Sequence, residues 1–401
     1  MTKTKRNDVG SVADSFHRHY AGIWSEERWQ TSLYPALLRP TRYACVLNRY
    51  ASCEDVERKL RASTADLEAL PLPHGDEQNP HRRPKCLIVK TQEKSGAEQG
   101  DESTQTEEAT FPAPEVTSNG LLSHWNLDAA SVLVASLLNI KPGDKVLDLC
   151  AAPGGKSISL SQALWPHLHA DRSSPEESTS SKTPVKTGVL HSNEADGRRQ
   201  RRLVDNLKAY LPRVLFESGQ ITALRVDGTS PKAEYELRVK TSSGAVSYDK
   251  VLVDAPCSSE RHIIHAHAKA STSGRVAEEM SSWRVGSSKR LSKMQIDLLI
   301  TGLKVVRTGG VVMYATCSIE PTENDGVVEK VLAQIEKERR KGGRWTVKVG
   351  FDAGDGTATL EKEIESMWAE RTKFGWIVLP DHPSCHRWGP LFFAVLTKVP
   401  A

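Results

Sequence analysis

The sequence predicts an α/β fold, namely a Rossmann-like, doubly wound and mostly parallel sheet preceded by a small helical N-terminal region. From about residue 119 onward, short apolar segments alternate with amphipathic ones. This alternation is typical of parallel strands that helices cover on both faces. In addition, the first apolar segment ends in small residues and glycines directly before a helical period, a connection that doubly wound sheets use.

The predicted elements follow this alternation. The predicted strands are Lys145–Cys150, Val189–Asn193, Ile221–Val226, Lys250–Asp254, Gly310–Thr316 and Phe392–Thr397. The predicted helices are Ser131–Ile140, Gly154–Leu164, Arg198–Tyr210, Leu291–Val306 and Glu323–Arg339. Most of the predicted strands are short and largely apolar, which indicates burial on both faces.

The chain is expected to divide into three parts. Residues 1–69 predict helices, because isolated apolar residues recur within polar sequence. Residues 70–118 are rich in Pro, Glu, Gln, Ser and Thr and predict a polar linker with one short strand at Cys86–Val89. Residues 119–401 then form the α/β domain.

Three segments interrupt the regular alternation of this domain. Residues 171–187 are rich in Ser, Pro and Thr where a short loop is usual, so they predict an insertion. Residues 267–288 are polar and rich in Gly and Ser, and they predict a second insertion, a loop that faces the substrate. Tyr235–Tyr248 alternates in polarity around a Ser-Gly pair and predicts a hairpin.

Composition and charge exclude some classes of protein. No stretch approaches the roughly 18–20 apolar residues of a membrane span, so no membrane partner is expected. The formal charge of +4, from 54 basic and 50 acidic residues, does not by itself indicate nucleic acid. Acidic residues gather in 93–110, however, which leaves basic clusters at 198–202 and 289–293. Each cluster is either a solvated helix face or a nucleic-acid contact.

The cysteines and histidines predict neither a disulfide framework nor a metal site. The seven cysteines are odd in number, widely spaced and without a CxxC pair, which favours a reducing compartment. His262, His265 and His267 lack the Cys or carboxylate set that would complete a metal site. The basic start of the chain is not followed by an apolar run, so the protein is not expected to be secreted. Its initial lack of acidic residues favours a mitochondrial location, with the nucleus or cytoplasm as alternatives.

The strongest local signal follows the first strand of the α/β domain. It is the run Asp148-Leu149-Cys150-Ala151-Ala152-Pro153-Gly154-Gly155-Lys156. Small residues let a ligand approach the backbone, and the following helix N-terminus suits a carboxylate or phosphate. The phosphate-loop pattern fails because Cys150 stands where a glycine is needed, and the GxGxxG pattern is absent. A nucleoside cofactor with a carboxylate tail remains, with a plain structural turn as the alternative.

Acidic residues follow the later strands. Glu194 follows the second strand, Asp227-Gly228 follow the third, and Asp254 ends the fourth. Carboxylates at the carboxyl ends of neighbouring strands converge on the crevice where such sheets bind ligands. Glu194 suits ribose hydroxyls, and Asp227 suits an adenine amino group. Singly, each carboxylate would be a helix cap or a solvated turn, but jointly they favour a nucleoside site.

A pair of cysteines indicates the chemistry. Cys257 in Asp254-Ala255-Pro256-Cys257 and Cys317 in Thr316-Cys317-Ser318 each come just after a buried strand. Buried packing is the alternative for cysteine, but both positions lie on the rim where ligands bind. A thiolate that adds to carbon 6 of cytosine makes carbon 5 electron-rich enough to attack a methyl donor. Enzymes that methylate exocyclic amines favour an aromatic residue where this chain has Cys257.

These segments resemble the NSUN (RsmB/NOP-type) family of RNA cytosine-5 methyltransferases over about residues 119–400. The similarity is greatest to the mitochondrial ribosomal-RNA branch, on Cys257–His265 and on Gly389–Phe393. The resemblance implies an S-adenosylmethionine-dependent methyltransferase fold that methylates carbon 5 of cytosine in RNA. It implies ribosomal RNA as the first substrate candidate and a covalent cysteine adduct as the intermediate.

The resemblance also implies a role for each matching residue. Cys317 would be the nucleophile, and Cys257 would assist release of the adduct. Asp254 and Lys156 would hold the cytosine and stabilise charge. The residues expected to bind S-adenosylmethionine are Cys150, Ala151, Ala152, Pro153, Gly154, Gly155, Lys156, Glu194, Arg199, Asp227, Gly228 and Asp254.

Three other functions stay open from the sequence. The chain could be a transfer-RNA cytosine-5 methyltransferase, or a ribosome-biogenesis scaffold that retains the fold. In a DNA cytosine methyltransferase, Cys257 rather than Cys317 would attack. RNA affinity would come from the N-terminal helices and basic clusters, or from a separate protein partner.

Overall fold

The computed structural model describes residues 2–64, 66–73, 84–90, 111–170, 188–241, 244–352 and 356–401. The predicted insertion at 171–187 lies outside the described residues, as do 74–83 and 91–110 of the predicted linker. The strands are β1 (Tyr43–Leu47), β2 (Leu67–Ala69), β3 (Cys86–Val89), β4 (His124–Asp128), β5 (Lys145–Asp148), β6 (Val189–Asn193), β7 (Ile221–Leu224), β8 (Val239–Thr241), β9 (Gly244–Val246), β10 (Tyr248–Asp254), β11 (Val306–Thr316), β12 (Trp345–Val349), β13 (Glu370–Arg371), β14 (Trp376–Val378) and β15 (Leu391–Pro400).

Helices connect and cover these strands. They are α1 (Thr2–Trp24), α2 (Glu26–Arg28), a π-helical turn (Trp29–Leu33), α3 (Tyr34–Leu38), α4 (Cys53–Ser63), α5 (Ala129–Leu137), α6 (Gly155–Leu164), a 3₁₀ turn (Pro166–Leu168), α7 (Gly197–Tyr210), α8 (Arg213–Glu217), α9 (Ala233–Glu236), α10 (Glu260–Ser271), α11 (Glu278–Ser282), α12 (Ser287–Val305), α13 (Asp325–Arg340) and α14 (Thr357–Met367). Among them, α12 packs on β10 and β11, and α13 packs on β12.

Nine of the described strands form that central sheet, in the order β13-β14-β15-β11-β10-β5-β6-β7, with β12 paired to β15. The neighbours β11, β10, β5, β6 and β7 run parallel. β15 runs antiparallel to β11 and β14. The strand order reverses between β5 and β10, because β6 and β7 lie on one side of β5 and the later strands on the other. The predicted fold class is confirmed.

The central sheet is buried on both faces. Along β10, Val251 and Val253 enter one hydrophobic core and Leu252 enters the other, as expected when successive side chains point to opposite faces. The core that contains Leu252 also contains Leu203 of α7. The opposite core contains Leu299 of α12. This two-sided burial explains why the centre of β10, Val251 to Val253, is apolar on both faces.

All strands and helices predicted from residue 119 onward are present, with ends that differ by a few residues. The strand predicted at Ile221–Val226 ends at Leu224, and the strand predicted from Gly310 begins at Val306. The predicted hairpin is formed by β8 and β9, which pair antiparallel.

The N-terminal part contains the expected helices and, in addition, a small antiparallel sheet of order β2-β3-β1-β4. β1 and β2 lie in the predicted helical part, β3 in the predicted linker and β4 in the predicted α/β domain. The sheet therefore crosses both predicted boundaries. Local sequence patterns do not show this, because each strand is short and its partner is distant in the chain.

The segment 267–288 differs from the loop that its composition predicted. α10 extends to Ser271, α11 occupies Glu278–Ser282, and α12 begins at Ser287. The apolar side chain of Trp283 is buried and packs edge-on against Phe16 of α1, with ring centroids 5.1 Å apart. The contact with α1 holds this polar segment in place, and local composition does not predict that contact. None of the helices described is both long and apolar enough to span a bilayer.

Candidate active site

A cleft of about 650 Å³ opens at the carboxyl edge of the central sheet, where β5, β10 and β11 end. The strand order reverses here, which is where doubly wound sheets bind ligands. The predicted site residues that line the cleft are Cys150, Ala152, Lys156, Arg199, Asp254, Cys257 and Cys317. Residues distant in sequence thus meet at one edge of the sheet.

The two predicted cysteines face each other in this cleft. The sulfur atoms of Cys257 and Cys317 lie 3.1 Å apart, and the Ser259 hydroxyl lies 3.0 Å from the Cys317 sulfur. Hydrogen bonding with Cys257 lowers the pKa of Cys317, and the same contact raises the pKa of Cys257 well above its usual value. The pair therefore favours a thiolate at Cys317 and a thiol at Cys257. The DNA-methyltransferase alternative would instead require the thiolate at Cys257.

A half-buried ion pair forms the adjacent wall of the cleft. Lys156, in the first turn of α6, places its Nζ 2.7 Å from Oδ2 of Asp254 at the end of β10. Burial disfavours the charged ammonium group of Lys156, but the attraction of the Asp254 carboxylate is the larger effect. The pKa of Lys156 is therefore raised. Lys156 thus keeps its proton and can donate a hydrogen bond into the cleft.

Two glycines stand where the loop after β5 enters α6, and neither position suits a residue with a side chain. A Cβ on Gly155 would lie 2.6 Å from Nε1 of Trp125 and 2.9 Å from Cδ1 of Leu127, both in β4. Gly154 has φ of +120°, which L-residues with side chains rarely adopt. The glycines therefore let the backbone of this loop pass close to β4 and remain open toward a ligand.

Replacing Gly155 with alanine is expected to shift this loop, because the new methyl group would overlap Trp125. The expected result is binding of S-adenosylmethionine weakened by about tenfold or more, together with a loss of stability of about 1–3 kcal/mol. Isothermal titration calorimetry measures the binding of S-adenosylmethionine, and urea denaturation measures the stability. Gly22→Ala in α1 is the matched control, since nothing lies within 4 Å of its added Cβ. Equal affinities of the two variants would contradict the role of Gly155.

A buried carboxyl group at the end of β5 connects this strand to α6 beneath the loop that joins them. Asp148 ends β5 and accepts a hydrogen bond of 2.7 Å from the Ser157 hydroxyl, which lies 2.8 Å from the Ser192 hydroxyl. Burial raises the pKa of Asp148 from 3.8 to about 7. Between these two pH values, the Asp148 carboxyl group is therefore protonated in the folded protein and ionised in the unfolded chain.

This shift predicts a pH dependence of stability. Between about pH 4 and pH 7 the folded state binds the Asp148 proton and the unfolded state does not, so this group makes the free energy of unfolding decrease as pH rises. Asp148→Asn removes the contribution, which amounts to at most about 4 kcal/mol over roughly three pH units. Urea denaturation of both proteins from pH 4.5 to 8 measures it. Parallel pH profiles would contradict the prediction.

The residues predicted to bind ribose lie beside the cleft, after β6. Glu194 is only 6% exposed, and its Oε2 lies 3.4 Å from Nη2 of Arg199. The same Nη2 donates a hydrogen bond of 3.1 Å to the carbonyl oxygen of Ala152. Arg199 thus links Glu194 to the glycine-containing loop, which brings the predicted ribose and methionine parts of the site together.

The residues predicted to bind adenine follow β7. Asp227 is exposed, and its Oδ1 accepts hydrogen bonds from the backbone N–H and the hydroxyl of Thr229. Gly228 is buried, and a Cβ there would lie 2.8 Å from Leu298. Asp227, Gly228 and Glu194 do not line the cleft that contains the cysteines. They extend the site along the same edge of the sheet.

These features fit a nucleoside cofactor with a carboxylate tail. The loop after β5 offers an open backbone and a helix N-terminus, and carboxylates follow β6 and β7 at the same edge. Among the described residues, no group of three or more His, Cys, Asp or Glu side chains is arranged to hold a metal ion.

A buried carboxyl group that sequence patterns did not reveal joins the two cysteine loops. Glu260 is fully buried and accepts hydrogen bonds from the Ile319 N–H at 3.0 Å and the Ser318 hydroxyl at 3.2 Å. The Tyr20 hydroxyl of α1 donates to the same carboxyl group at 2.9 Å. Burial raises the pKa of Glu260. One side chain thus connects α10, the loop after β11 and the N-terminal helix.

A second buried carboxyl group, Glu323, lies behind the loop after β10. It accepts hydrogen bonds from the Ser258 N–H at 3.1 Å and from Nε2 of Gln295 at 2.8 Å. Burial raises the pKa of Glu323 to about 7. Both glutamates follow soon after a site cysteine in sequence, but only the tertiary contacts distinguish them from solvated acids.

Further residues of the cleft wall also went unnoticed in the sequence. Asp128 caps the N-terminus of α5, where its Oδ1 accepts from the Ala130 N–H at 2.8 Å, and it lines the cleft. Arg261 is buried and donates to the backbone oxygens of Arg39 and Pro40. Nothing in the local pattern around Asp128 separates it from an ordinary helix cap.

Known proteins resemble the chain along its whole length. The profile of a family described as 16S rRNA methyltransferase RsmB/F matches residues 175–369. The mitochondrial tRNA (cytosine(34)-C(5))-methyltransferase of Mus musculus is 27% identical, over 99% of this chain and 95% of that protein. The 5-cytosine rRNA methyltransferase NSUN4 of Bos taurus is 28% identical, over 92% of this chain and 84% of that protein.

Solved structures agree on the fold. A methyltransferase homologue from Pyrococcus horikoshii superposes with a TM-score of 0.56 at 19% identity and covers 100% of both chains. NSun6 from the same organism superposes with a TM-score of 0.56 at 14% identity, over 96% of this chain and 97% of that one. The fold and the sequence matches together support an S-adenosylmethionine-dependent RNA cytosine-5 methyltransferase, similar to the RsmB/F-type, or NSUN, family.

Proposed function

We propose that this chain methylates carbon 5 of a cytosine in mitochondrial ribosomal RNA through a covalent adduct between Cys317 and carbon 6 of the base. The observation that carries the proposal is the 3.1 Å separation of the Cys317 and Cys257 sulfurs in a cleft that also contains the Lys156–Asp254 ion pair. Each part of this arrangement has a task in methylating a ring carbon.

Attack on the base begins at Cys317. Its thiolate adds to carbon 6, and the displaced electron pair makes carbon 5 nucleophilic while negative charge develops on the ring. Lys156 is held in its charged form by Asp254 and can donate a hydrogen bond to the ring where this charge develops. Bound S-adenosylmethionine supplies an electrophilic methyl group. The target nucleotide has to be unstacked, since carbon 6 is inaccessible within a helix.

Release of the product depends on Cys257. After methylation, carbon 5 gives its proton to a solvent water molecule, the pair of electrons reforms the double bond between carbons 5 and 6, and the bond from carbon 6 to Cys317 breaks. The sulfur departs as a thiolate. Cys257 keeps its proton, because its pKa is raised, and its thiol lies 3.1 Å from the departing sulfur. A hydrogen bond from Cys257 therefore stabilises the leaving thiolate.

An exposed basic face next to the cleft supports RNA as the substrate. Arg198, Arg199, Arg201 and Arg202 are all exposed on α7, and Arg199 also lines the cleft. Closely spaced arginines on one helix suit phosphate groups of a nucleic-acid backbone. With this face the chain would bind RNA by itself, whereas the alternative is a separate protein partner.

Ribosomal RNA is the first candidate and transfer RNA the second. NSUN4 of Bos taurus is named as an rRNA methyltransferase and the Mus musculus relative as a mitochondrial tRNA methyltransferase, at nearly equal identity. The similarity of Cys257–His265 and Gly389–Phe393 to the ribosomal branch favours ribosomal RNA.

The similarity to a mitochondrial tRNA methyltransferase supports a mitochondrial location for this chain. Fluorescence microscopy of the protein with a C-terminal tag tests this location.

The purified full-length chain tests the substrate. It is incubated with radiolabelled S-adenosylmethionine and, in parallel, unmodified mitochondrial small-subunit ribosomal RNA, a mitochondrial transfer RNA or duplex DNA. The expected result is 5-methylcytidine in the ribosomal RNA only, without an added protein. Methylation of the transfer RNA instead would assign the second candidate. Labelling of DNA, or of no substrate even after mitochondrial extract is added, would refute the proposal.

A further inference from the structure

The residue at the start of α10 has an unusual backbone conformation. Ser259 has φ of 53° and ψ of 58°, in the left-handed region that residues with side chains seldom occupy. Residues held in this region are concentrated at functional sites, since the surrounding structure has to offset the conformational cost. The position of Ser259, two residues after Cys257 and on the wall of the cleft, fits that pattern.

The hydroxyl of Ser259 does not perform the usual task of a serine at a helix N-terminus. Serine is favoured there because its oxygen accepts a hydrogen bond from an N–H of the first turn. Ser259 makes no such capping bond. Its Oγ lies instead 3.0 Å from the sulfur of Cys317 and 3.5 Å from the sulfur of Cys257.

The neighbouring serine is held in the opposite direction, which fixes where Ser259 points. The Ser258 N–H donates to Glu323, and the Ser258 hydroxyl donates to Glu260. Both acceptors are buried behind the loop. With Ser258 anchored on that side, the left-handed turn at Ser259 aims its hydroxyl at the two sulfurs.

We propose that Ser259 is a positioning residue whose hydroxyl donates a hydrogen bond to the Cys317 sulfur and stabilises its thiolate form. The inference rests on the proposed function, in which Cys317 is the nucleophile. A hydroxyl donor to an ionised acceptor makes a stronger hydrogen bond than a neutral pair does. Ser259 also limits the rotation of the Cys317 side chain, so that the sulfur remains directed into the cleft.

Several charged and titratable groups face Cys317 from different elements. Asp254 at the end of β10 and Glu260 in α10 act against a thiolate at this position, whereas Lys156 in α6 acts in its favour. Cys257 contributes one hydrogen-bond donor. Since two carboxyl groups oppose the thiolate, a second donor from Ser259 helps to keep the nucleophile ionised near neutral pH.

Alkylation of Cys317 by iodoacetamide tests the inference, because the thiolate is the reactive form. Trypsin separates the two cysteines into different peptides, residues 251–261 and 308–330, so mass spectrometry gives the alkylation rate of each one. The rates are measured from pH 5 to 10 in the intact protein and in three variants. These are Ser259→Ala and Ser259→Gly, which remove the hydroxyl, and Ser259→Asn, which retains a donor in a residue that tolerates the left-handed region.

We expect Cys317 in both Ser259→Ala and Ser259→Gly to react about tenfold more slowly at pH 7 and to require a higher pH for half-maximal rate. Ser259→Asn should restore most of the rate. Unchanged profiles in the alanine and glycine variants would overturn the inference. A normal rate in the glycine variant with a slow rate in the alanine variant would also overturn it, because backbone strain would then be the cause.

The outcome is separable from that of the proposed function. Alkylation requires neither RNA nor S-adenosylmethionine, so a shifted profile would stand even if the intact protein failed to methylate RNA. Circular dichroism of each variant verifies that the fold is retained. The glycine variant covers the case in which alanine at this position does not fold, since glycine adopts the left-handed region freely.

Discussion

Replacing Cys317 with alanine is expected to abolish methyl transfer to RNA, with a decrease in kcat of at least about 10³-fold, as is typical when a covalent nucleophile is removed. Without the sulfur, carbon 6 receives no electron pair and carbon 5 of cytosine stays too weak a nucleophile to accept the methyl group. Transfer of radiolabelled methyl groups to RNA measures the effect. Binding of S-adenosylmethionine should persist, because the loop after β5 is unchanged.

The matched control is Cys385→Ala. Cys385 is a free, exposed cysteine outside the lining of the cleft, so its removal should leave methyl transfer intact. Normal turnover by the Cys317 variant would refute the assignment of the nucleophile. If Cys257→Ala abolished adduct formation while Cys317→Ala preserved it, the roles of the two residues would be exchanged, as in the DNA-methyltransferase alternative.

The second large effect is expected from Cys257→Ala, which should accumulate a covalent complex between protein and RNA. The intact pair lets Cys257 donate a hydrogen bond to the departing Cys317 sulfur, 3.1 Å away. An alanine offers no donor, so elimination of the thiolate slows. Cys317 should still attack, more slowly, because loss of the same donor raises its pKa. Denaturing gel electrophoresis with labelled RNA detects the complex as a band of reduced mobility.

The double variant Cys257→Ala/Cys317→Ala is the control for this experiment, and it should form no complex. A complex in the double variant would show that another nucleophile is used. Absence of a complex in the single variant, with normal binding of RNA, would remove Cys257 from the release step. The intact protein should show the complex only transiently.

Sequence reasoning worked best where the chemistry depends on residues that are adjacent in the chain. The loop after β5 was predictable because Gly154 and Gly155 are needed at a strand-to-helix turn whatever the rest of the protein does. Cys257 and Cys317 were predictable because each directly follows a strong strand pattern. That both face one cleft follows from their strands being neighbours in a parallel sheet, which the alternation of elements already implies.

The supporting contacts were not predictable. Glu260 and Glu323 occur in polar, helix-forming sequence where solvated acids are common, yet both are buried against the cysteine loops. Tyr20, which donates to Glu260, lies 240 residues away in the chain. Contacts of this kind depend on how α1 packs against α10 and α11, which no local sequence pattern predicts.

The same distinction explains the two places where expectation and structure differ. Of the small N-terminal sheet, only β3 was predicted, with the bounds that the structure has, because the pairing of these strands with one another is long-range. The polar segment 267–288 contains α11 and the ends of two longer helices, and it is held in place where Trp283 is buried against Phe16, a contact made across the fold. Local residue order is thus sufficient to predict the sheet and to single out the candidate cofactor loop and the candidate nucleophile. The lowered pKa of Cys317 and its alignment with Cys257 arise from hydrogen bonds that exist only once distant segments pack together.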